Sequence, residues 1–348
     1  MKVLLNCQYK FPGTFSFLII FLLLNLLSRQ AIGQELRRTA FTSQNVTPSA
    51  RINGMGGVNV SLSDRDVNTF LLNPGTIGDS LVGTASLNYQ FYVADIGHAA
   101  FSYLANLGKL GPVAFAVDHF SYGNIDGYDA AGNPLSDFKA AETALVISKS
   151  HRVNNFRLGL SLKGAFSSLA GYRSSALMAD IGGVFIHPDQ DFQIGMVLKN
   201  AGVILSDYTG TSDSALPIDL QVGATIKPKH MPFRFSLTAY RLIQSKAVDY
   251  SGNRLSSPTS LQKVLRHFNF GGEVLIHRNV NILLGYNYGI HQELKLEDAG
   301  GSAGISFGFS ARIKSLEFVF SRRTMVAGSA GYAFTLSTNA DRIFRGGR

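Results

Sequence analysis

The sequence predicts an all-β protein: a 14-stranded antiparallel transmembrane β-barrel preceded by an N-terminal plug segment that contains a short helix. Three observations predict it. Hydrophobicity alternates with period two beyond residue 80, the connections alternate between tight and long, and an export leader is followed by no second apolar span.

In the leader, Lys2 and Lys10 precede the apolar run FSFLIIFLLLNLL, and Ala31-Ile32-Gly33 puts small residues where signal peptidase reads them. Residues 1–33 therefore read as a signal peptide, with Gln34 the first mature residue. The run is short for a membrane span. The single Cys, Cys7, lies inside it, so the mature chain offers no disulfide, thiolate ligand or cysteine nucleophile. Charged residues make up only 16%, below the usual quarter, while 36 Gly, 25 Phe and 13 Tyr suit a chain with one face in lipid. The formal charge of +9 falls to +6 when Lys2, Lys10 and Arg29 leave with the leader. That modest excess suits an anionic envelope surface or an acidic partner, and an exported chain meets no nucleic acid.

In SAGISFGFSARI, Ala303, Ile305, Phe307, Phe309, Ala311 and Ile313 share one face, and Ser302, Gly304, Ser306, Gly308, Ser310 and Arg312 the other. Successive strand side chains point to opposite faces, so one face is oily and the other small or polar. NFRLGLSLKGAF, IDLQVGATIK, FRFSLTAY and NVNILLGYNYGI repeat the pattern. Fourteen segments follow, starting near Leu81, Asp95, Gly111, Ala140, Asn155, Ser174, Asp191, Leu216, Pro232, Val264, Asn279, Gly301, Ser315 and Gly328. Each is long enough for a tilted strand to cross a bilayer. The barrel is expected over 81–338, and 339–348 as a basic periplasmic tail.

After a first short hairpin near Tyr92, the tight links NLGKLG, VNN, HPDQ, KPKHMP, HRN and RIKS alternate with long ones. Barrels of the outer membrane have short periplasmic turns and longer outer loops. A secreted β-sandwich also alternates, but it does not sort its loops by parity, and its wet face is usually richer in Lys, Glu and Thr. The expected outer platform is 123–138, 203–215, 245–263 and 291–300, with Tyr128, Tyr208 and Tyr250 as candidate partner anchors. Trp is absent, and tyrosines near strand ends, such as Tyr89 and Tyr92, are candidates for the interfacial girdle.

Residues 34–80 read as the plug. Gly54-Met55-Gly56-Gly57 lacks the spacing of a dinucleotide fingerprint, and no strand-helix-strand unit surrounds it. Asp64 to Leu72 is the expected helix, with Ser61 or Ser63 capping, Asp64 and Asp66 on its positive end, and Pro74 enforcing the stop. A barrel this wide needs a filler, and an N-terminal segment folded inside supplies one.

The stretch GMGGVNVSLSDRDVNTFLLNPG, with Gly56, Gly57, Asn73 and Pro74, resembles the N-terminal signature of the FadL-type outer-membrane proteins, although Gly75 stands where that signature has Ala. Within that superfamily the chain most resembles the PorQ-type proteins of the type IX secretion system of Bacteroidetes. SSALMADIGGVFIHPDQDFQIGMVLKNAG, DSALPIDLQVGATIKPKHMPFRFSLTAYRL, RHFNFGGEVLIHRNVNILLGYNYGIHQELKLED and GGSAGISFGFSARIKSLEFVFSRR carry the resemblance. It implies a non-enzymatic outer-membrane component, without cofactor. Its outer loops would anchor a surface-exposed PorZ-like partner beside PorU and PorV, in the complex that attaches cargo to lipopolysaccharide. The alternative is a FadL-like transporter of hydrophobic molecules.

Searches for other chemistry yield little. Ser260-Leu261-Gln262-Lys263 matches S-x-x-K but sits in a Ser/Pro-rich loop without its companion motifs. The eight His show no paired ligand spacing, and Asp126, Asp129 and Asp137 lack EF-hand spacing, so no metal is expected. Arg157, Lys163, Lys199, Arg234, Glu273, Arg312 and Glu317 fall on the lumen face, where charges at membrane depth require partners. They are expected to pair with one another or with Asp64 and Asp66. Gly182-Gly183 and Gly271-Gly272 mark either strand bends or close packing against the plug.

Overall fold

The structure is a computed structural model that describes residues 39–93, 95–129, 131–243, 259–294, 302–326 and 329–341. The signal peptide, Tyr250, most of 245–263, residues 295–300 and the basic end of the tail lie outside the described residues.

Fourteen antiparallel strands close into a barrel. They are β1 (Thr84–Phe91), β2 (Gly97–Asn106), β3 (Pro112–Tyr128), β4 (Pro134–Val153), β5 (Phe156–Leu169), β6 (Tyr172–Ile186) and β7 (Phe192–Ser206) in the first half. The second half holds β8 (Asp219–Ile226), β9 (Phe233–Ala239), β10 (Phe268–His277), β11 (Val280–Asn287), β12 (Ile305–Ile313), β13 (Leu316–Val326) and β14 (Ser329–Asn339). Every strand pairs with its sequence neighbours, and β1 closes the ring on β14 from Thr84↔Asn339 to Phe91↔Tyr332. Closure leaves no free edge of backbone donors and acceptors, which is what hydrocarbon demands. No helix among the described residues is long and apolar enough to cross a membrane.

The alternation read from sequence becomes an inside and an outside. On β5, Phe156, Leu158, Leu160 and Leu162 are about half exposed on the outer wall, while Gly159, Ser161 and Lys163 are buried inward. The same holds on β12, where Ile305, Phe307 and Phe309 face out and Ser306, Gly308 and Ser310 face in. In water such a band would be an unsupportable apolar patch; in a bilayer it is the solvent-matched surface.

Two expectations about the rims change. Segment 123–138 is mostly strand rather than loop. The β2 pairing of β3 ends at Gly97↔Ser121 and the β5 pairing of β4 ends at Ala140↔Leu169, so residues 122–139 form a two-stranded hairpin beyond both neighbours. Alternation continues past the rim there because Ile125 and Phe138 pair across the hairpin. The second change is Val264, placed at the start of a strand by its apolar character. It belongs instead to a capped helix α2 (Ser260–Leu265), after α1 (Ala50–Gly54) and before α3 (Tyr288–Leu294); β10 begins at Phe268.

Candidate functional site

Residues 39–83 lie inside the ring. Their apolar side chains, Phe41, Ile52, Met55, Val60, Leu62, Val67, Phe70 and Ile77 among them, are almost wholly buried. The expected helix over Asp64–Leu72 is a single 3-10 turn, Val67–Leu71, capped by Asp66 accepting from Asn68 N rather than by Ser61 or Ser63. The turn goes no further because the chain must turn at Asn73, and Pro74 opens a second 3-10 turn, Pro74–Thr76. The true α-helical turn is α1. Its sequence, ARING, has weak propensity, and it is held by Ser49 at its N-cap and by the wall, where Thr335 Oγ1 accepts from Ala50 N at 2.9 Å.

The signature residues fasten the plug to the wall. Asn73 Nδ2 donates to Val60 O at 2.7 Å and to Gly183 O on β6 at 3.1 Å, while its Oδ1 accepts from Gly75 N at 2.9 Å. The wall answers with glycine. A Cβ on Gly182 would stand 2.1 Å from Asn73 Oδ1, on Gly195 2.0 Å from Val60 O, and on Gly159 2.3 Å from Pro74 C. Packing against the plug thus explains Gly182. Gly271 is crowded from two sides: a Cβ there would stand 2.5 Å from Ser236 Oγ of the neighbouring strand and 3.1 Å from Met55 of the plug. Gly56 and Gly57 adopt φ of +93° and +92°, and a Cβ on Gly56 would overlap Asn269 Oδ1 at 2.0 Å. Asn269 Nδ2 in turn donates to Met55 O at 3.0 Å and Val58 O at 2.7 Å.

The lumen charges find partners. Arg51, in α1, donates through Nη1 and Nη2 to Asp64 at 2.8 and 2.6 Å and through Nε to Glu273 of β10 at 2.7 Å. Arg234 of β9 contacts both of the same carboxylates. Two guanidinium groups and two carboxylates therefore form a closed quartet of plug and wall, with Glu273 fully buried. Lys163 pairs with Asp180 at 2.6 Å, Arg312 with Glu317, and Arg157 donates to Ser63 Oγ at 2.8 Å. Lys199 reaches only Gln44 O, at 3.4 Å. Asp66 forms no ion pair among the described residues; it serves as the cap and accepts from Asn68 Nδ2. Sequence reasoning missed Arg51 and Asp180, and also His98 and Asp118, which bond to each other inside the wall. Asp180, His98 and Asp118 carry the same inward strand register that marked the other charges, whereas Arg51, in the plug helix, carries no such signal.

In the lumen, Ala40 and Phe41 pack into an apolar chamber made by Ala144, Ala165, Ala176 and Met178, with Ile204, Tyr208 and Leu216 beside them. Phe41 is 1% exposed and holds φ 55°, ψ 35°, a left-handed conformation that an aromatic residue rarely adopts. A parallel bridge from Thr39 to Ala215 and the bond from Ala40 N to Ala215 O at 3.0 Å anchor this segment. Tyr208, expected as a free anchor, instead donates to Ser167 Oγ at 2.6 Å and lines the chamber. Tyr128, 62% exposed at the tip of β3, is available to a partner.

A cavity of about 10 Å³ lies among Gln44, Thr47, Asp118 and Lys163. A groove of about 510 Å³ lies on the outer wall instead, over Leu87, Ala99, Phe101 and Leu336. Ser260 does open a helix, but Ser260 and Lys263 are both exposed on it, with no cleft around them. Among the described residues no group of His, Cys, Asp or Glu side chains is placed to hold a metal.

The architecture now has counterparts. It is similar to the Ralstonia pickettii toluene transporter TbuX, at 13% identity over 86% of this chain and 99% of that one, with a TM-score of 0.53. It is also similar to a variant of the Pseudomonas putida protein TodX, a monoaromatic hydrocarbon channel, at 13% identity over 85% and 98% with a TM-score of 0.52. The chain shares the fold of these two proteins. No family model and no curated relative matches the sequence. At this identity the likeness speaks for the fold alone, not for a substrate.

Proposed function

We propose that the protein is a non-enzymatic outer-membrane conduit for small hydrophobic molecules, held shut by its own N-terminal segment. The observation that carries this reading is the chamber under Phe41. Alanines and Met178 of the wall form an apolar seat, one of three apolar clusters where the plug meets the wall, and this seat is filled by a side chain whose backbone is strained. Ligand sites are mostly apolar with few polar groups, and Tyr208 and Ser167 supply a polar edge here. The two neighbours named above, a toluene transporter and a monoaromatic hydrocarbon channel, support an aromatic-sized ligand. In this reading Phe41 must leave the seat before a ligand enters, and relief of its left-handed strain offsets part of the lost burial.

The test is toluene uptake into liposomes containing the full chain. Phe41→Gly removes the stopper and suits φ 55°, so uptake should rise. Ala165→Phe fills the seat, so uptake should fall to that of empty liposomes. Equal uptake by all three proteins would overturn the reading.

A second reading rests on a different observation. The hairpin of residues 122–139 stands beyond the barrel rim with Tyr128 and Leu135, 62% and 57% exposed, near its tip. With the resemblance to PorQ-type proteins, it supports a type IX secretion scaffold that presents a platform to a PorZ-like surface protein beside PorU and PorV. Purification in mild detergent separates the two. Co-elution of a large surface protein that is lost when 124–137 is deleted supports the scaffold, and its absence removes it.

A further inference from the structure

The six tight turns lie at one end of the barrel, and most share a composition that neither lumen nor fold requires. In the β2–β3 turn, Lys109 is followed by Leu110, 59% exposed; in the β8–β9 turn, Lys229 and His230 precede Met231, 54% exposed. Ile276, 60% exposed, stands two residues before Arg278 in the β10–β11 turn, and Ile313, 72% exposed, precedes Lys314 in the β12–β13 turn. Lys149 on β4 is exposed on the same side of the wall, near Arg152 and Val153. Lys109, Lys149, Lys229, Arg278 and Lys314 form no ion pair among the described residues. Lys227 is the exception, bound to Asp191 at 3.2 Å. The β6–β7 turn, HPDQD, carries the acids Asp189 and Asp191 and lacks the pattern.

A large exposed apolar side chain beside a free cation is the arrangement of a residue pair at a membrane interface: the apolar member enters the acyl region and the cation reaches the headgroup layer. One such pair is unremarkable. Pairs repeated in four of the six turns around one rim make a belt. Its charge is complementary to a lipid phosphate, and it is continuous with the outer apolar wall that the hydrocarbon already covers. The opposite rim mixes both signs: the β1–β2 turn and the β3–β4 hairpin carry exposed Asp95, Asp126 and Asp137, alongside exposed Lys139, Arg173 and Lys263.

We infer that the short-turn rim is a docking belt for anionic phospholipids of the leaflet in which it sits, and that this belt fixes the barrel's depth and direction in the membrane. The inference does not depend on what the lumen carries. Short turns face the periplasm in barrels of this kind, so the leaflet is the inner one.

Full-length protein in nanodiscs made of equal phosphatidylcholine and phosphatidylglycerol tests it, with retained lipids counted by native mass spectrometry after detergent extraction. Wild type should retain phosphatidylglycerol in excess, and the excess should shrink in high salt. In K109Q/K229Q/R278Q/K314Q the retention ratio should fall by about fivefold per cation removed until it reaches one. K139Q/K263Q, on the opposite rim, should leave it unchanged. K109R/K229R/K314R should preserve it, which separates lost charge from lost assembly. A wild-type ratio of one, or an unaltered ratio in the quadruple variant, overturns the inference. Displacement of the lipid by a poly-glutamate peptide at matched charge also overturns it and assigns the rim to an acidic protein.

Discussion

Glu273 meets two arginines from different places: Arg51 arrives from the plug, 222 residues earlier in the chain, and Arg234 from the neighbouring strand. Neither Arg51 nor Glu273 has water enough around it to stand alone, since their side chains are 8% and 0% exposed. Removing one member of a buried pair costs about 3–5 kcal/mol, whereas replacing the whole set with apolar groups costs far less. Glu273→Gln should therefore loosen the plug, read as faster proteolysis at residues 50–66. The combination Arg51→Met, Asp64→Leu, Arg234→Met and Glu273→Leu should recover most of the protection. A quadruple variant no better than the single one would show that the quartet sets more than the plug's stability. At the same scale Gly195 and Gly159 matter for what they lack: with a carbonyl of the plug 2.0 Å from one absent Cβ, any side chain there displaces backbone.

The β3–β4 hairpin is the element most independent of the barrel. Its turn is closed by Asp129, whose carboxylate accepts from Asn133 Nδ2 and N, both at 2.8 Å, and from Ala131 N at 2.9 Å. The Asn133 side-chain bond first, and then the backbone bonds, hold the Asp129 carboxyl below its ordinary range. A depressed acid contributes order that is present above its unfolded value and lost as pH falls through its folded value. Amide exchange at Ala131 and Asn133, measured against pH, should quicken only below the usual carboxylate range, while barrel amides stay protected. Asp129→Ala should abolish that pH dependence. Among the elements, strands were legible because alternation is a local property: all fourteen were located, the largest offset being at β4. Helices were not. The signal over Asp64–Leu72 lay in its acids, of which Asp66 does cap a turn, but the wall bends the chain at Asn73 before a second turn can form. Helix α1 has almost no local signal because its seat supplies what ARING does not.

For the whole molecule, the outer band and the closed ring make one prediction. The chain without its leader should refold to a monomer only when detergent or lipid covers Leu158, Ile181, Met196 and Leu284, each about half exposed or more. A folded monomer in plain buffer, seen by analytical ultracentrifugation, would contradict the barrel. The ring and its plug are also mutually dependent: the inward face is glycine, serine and paired charge because a chain segment fills it, so neither part has a separate core.

The sequence alone determined the wall. Period-two hydrophobicity decides which side of each strand meets hydrocarbon, and loop parity decides which rim faces which way, because both are carried by residues close together in the chain. Tertiary structure alone decided the interior. Which carboxylate neutralises which guanidinium, which glycine admits which plug carbonyl, and which wall residues seat Phe41 depend on segments that sequence separation keeps apart and only closure of the ring brings together.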